Sequence, residues 1–296
     1  MQGVRVKTIV LALDALEPTL IDSWGLDAIR QKHSGSYDVN DLEALSTPIC
    51  FSALLTGKNP KTYGYTLSYL TKNSEEGYSP RLRPLLWLRK TFLPNFKDLG
   101  LRGKARKMGV FESRSRNMTD DLKELTVLKK LEREGYAIST DNIPSYDENA
   151  QENFRGQILP LIGKGLNKRE EHLNELLSAT RKRWLKNLGE LDGYDLTFIY
   201  SSLPDVAHHL IHHVDEMMML EHVYRSLCDL PMLFKLKDIA VLILSDHGYN
   251  HKFNEVGKDV GGEHSAVGFW SVNVDTDVKP KTIFDFHDLI YELATK

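Results

Sequence analysis

Residues 239–248 read Ile239-Ala-Val-Leu-Ile-Leu-Ser-Asp-His-Gly248. The first six are apolar without alternation, the pattern of a strand buried on both faces in a parallel sheet. The run stops at Ser245, and Asp246, His247 and Gly248 follow at once. The same plan recurs along the chain. Val4 to Leu13 is a Val/Ile/Leu-rich run that ends at Asp14. Leu196 to Ser201 is a further apolar strand, which leads into Asp205 with His208 and His209 close behind. Ala266 to Val272 is a last strand, preceded by Gly-Gly-Glu-His at residues 261–264. Tyr136 to Thr140 is a shorter candidate.

Helical periodicity fills the spaces between these strands. Helices are expected over Asp121–Glu134, Lys168–Leu191, Met217–Asp229 (closed off by Pro231) and Thr282–Ala294. In the second of these, Leu173, Leu176, Leu177, Trp184 and Leu188 fall near helical spacing. Strands alternating with helices imply an α/β fold with a mostly parallel central sheet flanked by helices. There is no internal repeat and no convincing linker, so residues 1–296 are read as one catalytic domain.

Composition narrows the class. With 41% hydrophobic and 27% charged residues, the 296-residue chain has the make-up of a globular protein and not of a disordered one. No stretch approaches the roughly 18 apolar residues of a membrane span. The N-terminal apolar run is followed by no small-residue cleavage site, and Cys50 and Cys228 are too few for a disulfide framework. These features favour a reducing compartment, and cytoplasm is the expectation.

The net charge of −3 averages two unlike parts. Ser79 to Asn117 holds eleven Lys/Arg and two Asp/Glu, a net of +9 that leaves −12 for the rest. This segment lies within a basic insertion over residues 66–120. It is either a solvated irregular stretch or a cap that attracts a small anionic substrate. It carries no specific nucleic-acid motif. Oligomeric state is not legible.

In open α/β sheets, ligands bind beyond the carboxyl ends of strands. Asp14, Asp205 and Asp246 all fall there, joined by His209, His247 and His264. Singly, each has a structural explanation: an Asp at a strand end commonly caps a helix, and a lone His is commonly a surface residue. Jointly, oxygen and imidazole ligands suit zinc, manganese or iron. Residues 45–65 add a hydroxyl at the start of an expected helix, at Ser46 or Thr47. Such a hydroxyl caps the helix or, beside a metal, attacks phosphorus.

These motifs resemble the alkaline phosphatase superfamily, and within it the type I phosphodiesterase/nucleotide pyrophosphatase group, including its compact archaeal members. The resemblance runs from Ile9 to His264. Leu13-Asp14-Ala15 is similar to the family's first Asp. Thr56, Gly57, Pro60 and Gly64 match its Thr-Gly-x-x-Pro-x-x-x-Gly run. Asp205 and His209 match Asp-x-x-x-His; Asp246, His247 and Gly248 match Asp-His-Gly; His264 matches the last ligand. Nine residues before Thr56, Thr47 takes the nucleophile's place by spacing, whereas the proline would point to Ser46, because Pro48 follows Thr47 directly. Tyr63 and Ser68 depart from the His and Asn that the family commonly has.

The resemblance implies two divalent metal ions, zinc by family habit with manganese compatible. One would be held by Asp14, Thr47, Asp246 and His247, the other by Asp205, His209 and His264. It implies a Thr47 nucleophile, a covalent phospho-threonine and a small phosphate-ester substrate. The expected activity is therefore a metal-dependent phosphodiesterase. Phosphomonoesterase and phosphonate hydrolase are the enzyme alternatives, and an anionic-surface or polyanion-binding module is the non-enzyme one. A sulfatase ranks lower, because Cys50 stands where that family needs Arg. His208, His212 and His213 match no ligand and are expected beside the site or at the surface.

Overall fold

A computed structural model describes residues 6–70, 117–147, 154–161, 163–228 and 239–296. Most of the basic insertion, residues 71–116, lies outside the described residues, and so does Asp229.

The apolar runs form the centre of a six-stranded sheet, ordered β2-β8-β5-β1-β4-β3. Its strands are β1 (Lys7–Leu13), β2 (His33–Asp38), β3 (Ile138–Asp141), β4 (Leu196–Ser201), β5 (Ile239–Leu244) and β8 (Val267–Val272). β1 lies between β4 and β5, parallel to both, and β3 is parallel to β4. Every residue of β4 and β5 is buried. β1 alternates between two cores: Ile9, Leu11 and Leu13 face one, Val10 and Ala12 the other. A strand apolar at every position therefore satisfies both layers of helices.

Register brings the chemistry to one edge. Leu13 pairs with Ser201 and Ala12 with Leu244, so the carboxyl ends of β1, β4 and β5 are level. β8 runs antiparallel to β5. Its amino end therefore reaches the same edge, and it brings the preceding β7 (Glu263–Ser265), which pairs with β6 (Gly248–Asn250). β2 is antiparallel to β8, so it also exits toward that edge and leads to Ser46 and Thr47.

The helices are α1 (Pro18–Ser23), α2 (Thr47–Thr56), α3 (Asp120–Lys123), α4 (Val127–Arg133), α5 (Phe154–Ile158), α6 (Leu166–Glu190), α7 (Leu203–His209), α8 (Met217–Cys228) and α9 (Phe286–Thr295). Along the 25 residues of α6, Arg169, Leu173, Leu177, Thr180, Trp184 and Asn187 form the buried stripe. Truncating Trp184 there would cost about 3–5 kcal/mol. Among the described residues no helix is long and apolar enough to cross a membrane.

Three expectations change in detail. The helix expected over Asp121–Glu134 is two helices, because Thr126 turns its hydroxyl to the Lys129 amide and starts α4 afresh. The closing helix opens as a 3₁₀ turn, Ile283–Asp285, inside a Thr282–Asp285 capping box. β2 was not foreseen.

Candidate metal centre and nucleophile

Two groups of ligand atoms gather at the common edge: Asp14, Asp246 and His247, and Asp205, His209 and His264. Within each group the ligand atoms lie within 4.8 Å of one another. β1 delivers Asp14 and β5 delivers Asp246 and His247. α7 places Asp205 and His209 one turn apart on one face, with His209 Nε2 3.5 Å from Asp205 Oδ1. β7 brings His264, whose Nε2 lies 3.4 Å from the same oxygen. In the first group His247 Nε2 is 3.4 Å from Asp14 Oδ1 and 3.5 Å from Asp246 Oδ2.

These are close approaches rather than hydrogen bonds. Asp14 Oδ1, Asp205 Oδ1, both Asp246 oxygens and His247 Nε2 are buried and make none. Such atoms are costly unless something binds them. An ion about 2.1 Å from each of two tetrahedral ligands holds them about 3.4 Å apart, so these spacings fit a metal. The imidazoles are also oriented for it. His247 Nδ1–H donates to the Gly248 carbonyl at 3.1 Å, and His264 Nδ1–H to the Leu45 carbonyl at 2.9 Å. Each ring therefore turns Nε2 inward.

The Asp14 charge acts on two neighbouring acids. Burial first, then the Asp14 charge, pushes the Asp246 carboxyl well above the usual range. The same two causes raise Asp205. Burial lowers His247, and it lowers His209 to about 4. Burial also works against the charged form of His264, but the Asp205 carboxylate and the Leu45 carbonyl outweigh it and bring that group to about 9.

Thr47 is the first residue of α2, and its hydroxyl donates to Asp14 Oδ2 at 3.2 Å. It therefore faces the first ligand group. Ser46 holds the N-cap position without capping, and its Oγ is buried and bonds to nothing. The Thr-Gly run beyond α2 is structural. Thr56 Oγ1 donates to the Ser52 carbonyl at 2.7 Å, and Gly57, at φ +64°, ends the helix where a Cβ would lie 2.9 Å from His287 Cβ.

Tyr200 is a functional contact that sequence reasoning missed. Its hydroxyl donates to Asp14 Oδ2 at 2.5 Å, and its ring packs edge-on against Phe51 of α2 at 5.2 Å. It joins Asp14 to α2. A tyrosine in an apolar strand carries no local signal of that role. His208, expected beside the site or at the surface, is buried and stacks on Tyr249 at 4.6 Å. His212 is exposed and His213 half-buried.

No protein-family model matches the sequence, and no curated protein matches it. Solved structures do. Phosphonoacetate hydrolase from Sinorhizobium meliloti 1021, in complex with phosphonoacetate, aligns at 12% identity and a TM-score of 0.47, over 85% of this chain and 58% of its own. Alkaline phosphatase from the Antarctic bacterium TAB5 aligns at 14% and 0.45, over 98% of both chains. Murine ectonucleotide pyrophosphatase/phosphodiesterase 5 aligns at 13% and 0.38, over 84% and 58%. The chain is similar to alkaline phosphatase superfamily structures. It spans 58% of the length of the hydrolase and of the murine superfamily member.

Proposed function

We propose that this chain is a metal-dependent hydrolase of phosphate esters, of the phosphodiesterase/nucleotide pyrophosphatase type, with Thr47 as nucleophile. One observation carries the proposal. Two groups of ligand atoms lie at one sheet edge, with Asp14 Oδ1, Asp205 Oδ1, both Asp246 oxygens and His247 Nε2 buried and without hydrogen bonds, and the hydroxyl at the start of α2 bonds to a member of the first. Asp14, Asp246, His247 and Thr47 would hold one divalent ion, and Asp205, His209 and His264 a second. Carboxylate–imidazole ligands favour zinc and accept manganese. Ions bound there would polarise phosphoryl oxygens and make a Thr47 alkoxide reachable near neutral pH.

The chain's own groups supply the rest. Asp14 Oδ2 holds the Thr47 hydroxyl in place, and Tyr200 holds Asp14. The amino end of α2 favours an incoming phosphoryl group through its dipole. Thr47 Oγ1 gives up its proton and bonds to phosphorus as the bond to the leaving oxygen breaks, and that oxygen departs as an alcohol carrying the proton. Water then attacks the phospho-threonine ester, releasing the phosphate monoester and returning a proton to Thr47 Oγ1. The +9 segment at residues 79–117 would draw the anionic substrate in. Neutralising Arg81, Arg83, Arg89 and Lys90 should therefore raise KM more than it lowers kcat.

Metal analysis with four aryl substrates (phosphodiester, phosphomonoester, sulfate and phosphonate ester) tests the proposal. The diester should turn over fastest. Strong preference for the monoester would remove the diesterase assignment, and turnover of none would remove the hydrolase itself.

A further inference from the structure

Glu17 is a buried acid that the mechanism above does not use. It is 3% exposed, three residues beyond Asp14 at the start of α1. Its Oε1 accepts from the Thr19 amide at 3.2 Å and the Thr19 hydroxyl at 2.9 Å. Its Oε2 accepts from the Tyr249 amide at 2.9 Å and the Ser265 hydroxyl at 2.8 Å. Capping α1 needs only the first oxygen. The second reaches the far side of the site.

The partners of that second oxygen decide the matter. Tyr249 lies two residues beyond His247, and Ser265 follows His264. The two segments pair in the small β6–β7 ribbon, where Gly248 opposes Ser265 and Tyr249 opposes His264. Gly248 makes room for the carboxylate: a Cβ there would lie 2.2 Å from Glu17 Oε2 and 2.5 Å from Ser265 Oγ. The glycine of Asp-His-Gly is thus explained by the approach of Glu17. The Glu17 main chain extends the link to the remaining ligands. Its amide donates to the Tyr224 hydroxyl at 2.8 Å, and that hydroxyl lies 2.8 Å from His208 Nε2. His208 sits on α7 between Asp205 and His209.

One residue therefore touches, directly or through Tyr224, every segment that supplies a carboxylate or imidazole to either group. We infer that Glu17 is a positioning residue that sets the spacing between the two ligand groups, and with it the uptake of two ions by one centre. The inference rests on the proposed metal sites and adds a residue outside them. Glu17 is not a ligand: its oxygens are filled by amide and hydroxyl donors, and it belongs to neither ligand group. It acts by fixing the β6–β7 ribbon against the end of β1. A buried acceptor with several well-placed donors holds such a ribbon more firmly than packing alone.

The test is a titration of chelated full-length protein with Co²⁺, read by visible absorption and by calorimetry. The wild type should take up two equivalents. In Glu17→Ala the weaker equivalent should bind about 10–100-fold less tightly, the usual effect of losing an outer-shell support. Ser265→Ala removes one donor and should lose a smaller part of the same affinity. The double variant should lose no more than Glu17→Ala alone, because both cut one link. If Glu17→Ala does not fold by far-ultraviolet circular dichroism, Ser265→Ala carries the test by itself. Two equivalents bound by wild type and unchanged affinities in the folded variants would overturn the role of Glu17 and leave the metal sites standing. No uptake by the wild type would overturn the sites and the inference together.

Discussion

The imidazole rings of His247 and His264 stack with 4.1 Å between centroids and 19° between planes, although each serves a different ligand group. The two groups are therefore one centre and not two independent sites. His264 also donates to the Leu45 carbonyl, two residues before Thr47, so it ties the second group to the segment that opens α2.

Removing His264 should then affect both functions. His264→Ala is expected to reduce bound metal from two equivalents to one. The same substitution should lower kcat for an aryl phosphodiester by at least about a hundredfold. Metal analysis beside steady-state kinetics measures both, and retention of two tightly bound ions would show that His264 is not a ligand.

His264 also sets a pH dependence. Its folded value of about 9 exceeds its ordinary 6.5. In chelated protein the folded state therefore holds more protons than the unfolded state between those values. Its contribution to stability is full below 6.5 and is lost as pH rises through about 9. Metal-loaded protein should behave differently, because a metal-bound imidazole carries no proton on Nε2. Melting curves from pH 6.5 to 9 should fall for chelated wild type and flatten both on metal addition and in His264→Asn.

The nucleophile assignment separates two adjacent hydroxyls. Thr47 Oγ1 bonds to Asp14, while Ser46 Oγ bonds to nothing. Thr47→Ala should cost at least about a thousandfold in kcat/KM. Ser46→Ala should stay within about threefold, since an unpaired buried hydroxyl contributes little. The reverse pattern would shift the register by one residue, as the position of Pro48 alone would suggest.

Tyr200→Phe tests the support of Asp14. The ring keeps its packing against Phe51, but Asp14 loses the 2.5 Å donor. Stability should change little, whereas kcat should fall about 10–100-fold through a misplaced Asp14. Equal losses of stability and activity would make Tyr200 a packing residue only.

Much of this arrangement was legible because it is written locally. β4 and β5 are apolar at every position, and Asp246 and His247 follow β5 without a gap, so strand and ligands are read together. Asp205 and His209 are legible as an Asp-x-x-x-His spacing, although the helix that sets them on one face was not expected. β2 was not: of His33 to Asp38 only Tyr37 is buried, because the strand lies at the sheet edge. The antiparallel run of β8 depends on pairing with β5 and β2 and leaves no mark in its composition. Tyr200 and Glu17 escaped for the same reason. Their partners Asp14 and Ser265 lie 186 and 248 residues away, and a Tyr in a strand or a Glu before Pro18 reads as ordinary. The +9 segment lies almost wholly outside the described residues.

The central claim is that Thr47 hydrolyses phosphate esters with divalent metal at this edge. Its most direct test is the rate of aryl phosphodiester hydrolysis by chelated protein as zinc or manganese is restored, for wild type and Thr47→Ala side by side. Activity should return with about two equivalents of metal in the wild type and not at all in Thr47→Ala. Equal rates in the two proteins, or a wild type that stays inert when fully loaded, would contradict it.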